Sequence, residues 1–428
     1  MKFSQRTKVG AAVACVASFA LLATGCSSAG TGGASDGDNI ELTITTFGSM
    51  GMSDLYAQYE KENPGITIKA NNIDTGGNAR TDAFTKIAAG SGLSDVTAVE
   101  EGWLGSIQEV SDQFVDLSDY GADKIKDRWV PWKLAQGTDK DGRIIAYGTD
   151  IGPEGLCYNS AAFAAAGLPT DRTEVAALLE GDWENYFSVG EQFTAASDAA
   201  WFDGSGAMLQ GILNQHEETL EATDGEVIAT TNPVVKDAYE QVLDASPELS
   251  AHLKQWSDDW TAGFANGAFA TMLCPSWILG NIEGAAPEVT GWDVANVFPG
   301  GGGNWGGSYL TVPAQGKNAE EAKKLAAWLT APEQQLKSFV KTGNFPSQLD
   351  IQDSEELTSV TRPFFNEAPT GEIFAERAAA ITVAPFKSVK YFPIMSSLQD
   401  AVNRVDVDKT QSADDSWKQF EADVASIG

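Results

Sequence analysis

Glu100 and Glu101 stand side by side after a short apolar run, the first pair in the chain that could serve as acid and base. A sugar-cleaving pair must hold its carboxyls roughly 5–9 Å apart across one bond. Neighbours on a strand point to opposite faces, so this spacing does not suit that work. The two histidines, His216 and His252, lie in no metal-ligand spacing, which leaves a zinc site or a histidine base without support. Asp139-Lys140-Asp141-Gly142 offers carboxylates in a loop. It lacks the other ligands of a calcium loop, and Asp-Gly in this setting predicts a hairpin turn. Residues 299–307 are glycine-rich around Asn304 and Trp305. They lack the Lys-Ser/Thr step into a helix that cradles phosphate, and a strand-like run follows, so they read as a hinge or ligand loop. What remains is recognition. The chain has 12 Trp, 9 Tyr and 20 Phe. Most belong in a core, but several tryptophans sit in Gly-, Asp- and Asn-rich loops, where an indole offers a ring face and an N–H donor.

Composition narrows the partners. The net charge is −32. Such a surface repels nucleic acid and anionic lipid and argues against an acidic or phosphorylated ligand. No cofactor motif is present, so neither cofactor nor metal is expected. Lys2, Arg6 and Lys8 precede an apolar run from Val9 to Ala23, shorter than the roughly 20 residues a spanning helix needs. This order describes a secretory signal. It ends Leu21-Leu22-Ala23-Thr24-Gly25-Cys26, which resembles the lipobox of bacterial lipoproteins, where the thiol of the cysteine is acylated. Ala23 stands where Leu is usual. Residues 27–38 are small and polar, a tether. The expectation is a signal over 1–25, a tether over 26–39 and a lipid on Cys26. Cys157 and Cys274 are the cysteines of the body, either bridged or buried free thiols.

The remaining roughly 400 residues exceed what one core usually serves, so two lobes are expected. Residues 40–46 alternate and are β-branched, a first strand. A helix is predicted over 52–62, a strand over 66–70, a helix over 81–89 and a strand over 95–99. This alternation implies an α/β layer with parallel strands. Asn159 is placed to cap a helix over 160–166. A helix carrying Phe264 ends at Asn266-Gly267, a strand resumes at Ala268, and Pro275-Ser276-Trp277 follows. Residues 319–329 form an amphipathic helix with Lys323 and Lys324 on its wet side.

These pieces in this order resemble the extracellular solute-binding proteins of bacterial ABC importers, and within them the carbohydrate-binding group that includes maltose-binding protein. The landmarks are the Asp-Gly hairpin before residues 144–148, Leu156-Cys157-Tyr158-Asn159, the segment 264–277, and the helix over 319–329 leading to Gly343-Asn344-Phe345-Pro346. The resemblance implies an α/β periplasmic-binding-protein-like fold of two lobes, with hinge crossovers and a ligand cleft. Crossovers are expected near 150–154, 305–309 and 359–367. One lobe would comprise 40–151 plus 308–362, the other 152–307 plus 363–428. The strands bearing Cys157 and Cys274 would run close together, which favours a bridge.

The implied ligand is a neutral carbohydrate, best an oligosaccharide, delivered to an ABC permease. Rings stack on the C–H faces of a sugar, and Asp, Glu, Asn, Gln and Arg pair its hydroxyls. Candidate contacts are Phe47, Asn78, Arg80, Glu101, Trp103, Glu154, Trp277, Trp305, Tyr391 and Phe392, with Trp256 and Asp258 behind them. No catalytic residue is expected. A monomer is expected, attached to the outer face of the cytoplasmic membrane only through its lipid. The rival readings are an exported glycoside hydrolase and a binder of peptides or amino acids.

Overall fold

The protein is described by a computed structural model covering residues 39–427. The signal, the tether up to Asp38 and Cys26 lie outside the described residues.

Two sheets organise the rest. Strand β1 (Ile40–Phe47) runs parallel to β2 (Ile66–Ile73) and to β3 (Val96–Glu100). The alternation read in β1 buries Leu42 and Ile44, and the register pairs Ile44 with Ala70 on one side and Val96 on the other. The chain then forms β4 (Ala146–Gly148), β5 (Asp150–Ile151) and β6 (Glu154–Asn159). Next come β7 (Ala200–Phe202), β8 (Phe269–Pro275), β9 (Trp292–Ala295), β10 (Ser308–Thr311) and β11 (Phe345–Pro346). The first sheet has the order β2-β1-β3-β10-β4 and the second β7-β8-β6-β9, while β5 and β11 form a two-stranded pair between them. The expected parallel layer holds for β1, β2 and β3, but β10 returns antiparallel to both β3 and β4. Each sheet is sandwiched by helices, the two-lobed mixed α/β architecture that the sequence implies.

Local signals behave as their chemistry requires. Asp139 Oδ1 accepts from the amides of Asp141 and Arg143, and Gly142 takes φ +80°, so the Asp-Gly segment is a turn. Among the described residues no group of three acidic, His or Cys side chains is placed to hold a metal. Asn159 Oδ1 accepts from Ala161 and Ala162 and starts the helix Ser160–Ala165. The helix Asp258–Asn266 stops at Gly267, φ +66°, and β8 follows. Helix Ala319–Leu329 forms as expected, but Lys323 is not on its wet side: its side chain is only 3 % exposed. Its ammonium lies over the Tyr120 ring and is itself buried, where the amphipathic pattern alone suggested water.

Cys157 and Cys274 are joined by a disulfide between β6 and β8, with Cα atoms 5.3 Å apart at a sequence separation of 117. Closing so long a loop restricts the unfolded chain by an amount equivalent to about 5 kcal/mol. The bond sits in an apolar cluster with Phe264, Phe269, Trp292 and Phe374.

The chain passes between the sheets at 149–154 and again at 303–308. These two passages are laced together. Gly152 N donates to Asn304 Oδ1 at 2.9 Å, Trp305 N to Gly152 O at 2.8 Å, and Ser308 N to Asp150 Oδ1 at 2.9 Å. Gly152 and Gly307 are glycines for contact reasons: a Cβ would collide with the carbonyl of Trp305 or Asp150 respectively. The glycine-rich run of 300–307 thus lets two backbones meet. After β11 the chain stays against the second sheet, where Leu357 joins the cluster around the disulfide. Arg362 donates to Glu283 and to the carbonyls of Phe339 and Val340 before Phe365 and Phe374 pack behind the disulfide.

Candidate functional site

The paired glutamates separate at the end of β3. Glu100 is the last strand residue and Glu101 opens the helix Glu101–Gln108, so the change from strand to helix turns their side chains apart. Glu101 is buried, and both its oxygens are occupied. Oε1 accepts from Lys387 Nζ at 2.7 Å and Gln136 Nε2 at 3.5 Å, and Oε2 from Asn304 Nδ2 at 3.1 Å. The Lys387 side chain is 6 % exposed. Burial draws its ammonium down, but Glu101, Tyr391 and Glu100 outweigh that and hold it above its ordinary range.

Glu100 instead remains half-buried. The Cβ position of Gly76 lies 3.5 Å from its Cβ and 3.7 Å from the Phe47 ring. The Cβ position of Gly306 lies 3.7 Å from Glu100 Oε1 and 3.8 Å from Trp277 Nε1. Burial pushes the Glu100 carboxyl up to about 7, against the pull of Lys387. Trp277 donates its Nε1–H to the Trp305 carbonyl at 2.7 Å, and the two rings meet edge to face with centroids 6.2 Å apart. Both are half-buried. Phe47, Glu100, Trp277 and Trp305 therefore form one corner between the two sheets: ring faces beside a carboxylate acceptor.

Behind this corner runs a buried polar chain. Glu154, fully buried, accepts from Asn214 at 3.4 Å. Gln210 Nε2 donates to Asn214 at 2.8 Å and to the Tyr391 hydroxyl at 3.2 Å. Lys387 Nζ lies 5.2 Å from the Tyr391 ring centroid. Burial raises Glu154 to about 8, although Asn214 and Lys387 oppose the shift. On the other side Lys133 Nζ sits 3.9 Å from the Tyr309 ring centroid. Burial draws it down to about 8 despite Glu101 and Asp150.

The remaining expected residues are distributed around this frame. Arg80 is clamped between the rings of Phe84 and Phe392, at 4.9 and 4.7 Å. Asn78 is exposed and donates to Asp74 at the start of its helix. Trp103 is fully buried and packs edge-on to Phe84 in the layer beneath β3. Tyr391 is buried and Phe392 half-buried. Asp258 is exposed in the first turn of its helix, and Trp256 stacks on Trp277.

Sequence reasoning weighed Glu100 only as half of a hydrolytic pair, and it left out Lys387, Asn214, Gln210 and Asn304 as site residues. Asn304 had a signal, its place in the glycine loop. Lys387 had none, because nothing local marks a lysine that will meet a glutamate 286 residues earlier.

Residues 54–363 match the family model described as bacterial extracellular solute-binding protein. A solved structure of an extracellular solute-binding protein of family 1 is 45 % identical, with 91 % of this chain and 99 % of that one covered at a TM-score of 0.81. The binding protein of an ABC transporter from B. animalis subsp. lactis Bl-04, solved with beta-1,6-galactobiose, is 20 % identical, with 90 % of this chain and 96 % of that one covered at a TM-score of 0.76. The maltose-bound MalE3 of T. maritima is 17 % identical, with 91 % and 100 % covered at a TM-score of 0.72. No curated protein matches.

Two predictions follow from the charges. Lys387→Met leaves Glu101 buried without its cation and should lower the unfolding free energy by about 3–5 kcal/mol in urea denaturation. A loss below about 1 kcal/mol, the size of a surface pair, would refute the weight given to this contact. The folded state holds Glu100 and Glu154 protonated above the ordinary 4.5. Between that value and about 7–8 it therefore binds more protons than the unfolded chain, and stability falls as pH rises through this window. The melting temperature should drop from about pH 5 to about pH 8, and Glu154→Gln should flatten the slope.

Proposed function

We propose that this chain, which belongs to the bacterial extracellular solute-binding proteins, captures a neutral carbohydrate, best an oligosaccharide, and presents it to an ABC importer permease. The observation that carries this reading is the corner of Trp277, Trp305 and Phe47 around Glu100, placed where the two lobes meet. Stacked rings suit the C–H faces of a pyranose, and a carboxylate can accept two adjacent hydroxyls. The buried frame of Glu101, Lys387 and Asn304 fixes the corner in place, as a pre-formed site requires. Both oxygens of Glu101 are engaged, so the adjacent glutamates do not present the two free carboxyls of a glycosidase. The ligands in the galactobiose- and maltose-bound neighbours are of the same class.

In this reading the protein is a monomer of two lobes, 40–151 with 308–362 and 152–307 with 363–428, which close on ligand about the paired passages. Glu100, rather than the expected Glu101, meets ligand beside Trp277, and Arg80 with Phe392 forms a second aromatic-cationic wall. Cys26 carries the lipid, so the binder stays near its permease while its tether lets it meet ligand.

A screen of neutral mono- and oligosaccharides should raise the melting temperature with one series and quench tryptophan fluorescence. Trp277→Ala and Trp305→Ala should each weaken binding roughly tenfold or more. Unchanged affinity in both would remove the stacking model, and release of new reducing ends would replace a binder with an enzyme. Metabolic palmitate labelling should appear in the wild type and vanish in Cys26→Ala. Absence of label in the wild type would make this a freely secreted binder.

A further inference from the structure

Trp256 is the one exposed tryptophan among the described residues, with half of its surface open. It also holds φ at +68°, a left-handed backbone that bulky side chains rarely adopt and that glycine or asparagine would take without strain. Strain of this kind persists where the surroundings impose it, and it clusters at ligand contacts. Here the surroundings are aromatic. The Trp256 ring stacks on Trp277 with centroids 6.0 Å apart and planes 23° from parallel, and it rests on buried Trp260 at 5.1 Å. Trp260 is fixed in turn by its Nε1–H on Asp203 at 2.7 Å. Ser257, the next residue, caps the helix Asp258–Asn266 by accepting from Trp260 N. The loop is thus held at its far end, and Trp256 is pinned with one face on the wall and the other to solvent.

A packing role alone would bury this ring. Instead the three indoles form a continuous strip from Trp305 through Trp277 to Trp256, in steps of 6.2 and 6.0 Å. The strip begins at Glu100 and the crossing backbones and ends at the solvent edge. It is longer than one pyranose ring can cover.

We propose that Trp256 is a ligand-contacting platform that extends the carbohydrate site outward and makes it favour saccharides of more than one unit. The inference rests on the carbohydrate reading above. The inner corner holds the first sugar unit, and the outer face of Trp256 stacks a later one. The ring is pre-placed by its strained backbone, so no side-chain ordering is needed when ligand arrives.

The test uses calorimetric titration of the wild type, Trp256→Ala and Trp256→Phe with one-, two- and three-unit members of the gluco-, xylo- and galacto-series. In the series that binds, Trp256→Ala should lose about tenfold in affinity for the trisaccharide and less than about twofold for the monosaccharide, and Trp256→Phe should recover most of the loss. A fold defect would lower affinity for every length alike, so equal losses across lengths overturn the proposal. So does a trisaccharide affinity unchanged in Trp256→Ala while the wild type binds. If the wild type binds no member of any series, the carbohydrate reading falls and takes this inference with it.

Discussion

A carboxylate and an ammonium cannot be taken out of water singly, and the middle of this molecule is built around that constraint. Glu101 and Lys387 are both buried, and either one alone would carry a desolvation cost of several kcal/mol. They meet because β3 ends, and its helix begins, opposite the segment that follows residue 380. The approach is close: a side chain at Gly105 would strike Ser388, and Ser106 donates to the Val389 carbonyl at 3.3 Å. Asn304 completes the arrangement, because one amide serves Glu101 with its nitrogen and Gly152 with its oxygen. The pair therefore ties the C-terminal segment, the first sheet and both main passages into one frame.

That frame divides the work of two adjacent carboxylates. Glu101 gives its lone pairs to the protein, and Glu100 keeps an edge toward the corner. Burying Glu100 and Glu154 has a cost, expressed as the raised pKa values of both carboxyls. A corner that can hold a carboxyl neutral near pH 7 can donate as well as accept a hydrogen bond. This property fits a ligand whose hydroxyls do both.

The aromatic residues show the same division on a larger scale. Most are plain core. Tyr186, Trp201, Phe163 and Phe193 pack at tilted angles in the second lobe with centroids 5.3–6.1 Å apart. Trp103 belongs with them, since a helix that opens at Glu101 turns its third residue under the sheet. Trp277, which follows a strand end, and Trp305, in the crossing loop, are half-buried instead, and Trp256 is exposed.

Much of this was legible in the sequence because it depends on neighbours along the chain. The alternation in β1, the Asn159 cap, the Asp-Gly turn and the stop at Gly267 are set within a few residues, and each is found in the structure. Chain length implied two lobes, and the family that this order of elements resembles implied the passages near 150 and 305 and the closeness of Cys157 and Cys274. The site was legible only in its aromatic members, because a tryptophan in a glycine-rich loop is conspicuous in one dimension. The choice between Glu100 and Glu101 depended on which of them Lys387 and Asn304 would reach. The burial of Lys323 depended on Tyr120, two hundred residues away in the chain. Residue types and local spacing determined which elements form and which chemistry is available. The tertiary structure decided which charge is neutralised and which is left facing the aromatic corner, because a buried ion takes its partner from whatever the fold brings within about 3 Å.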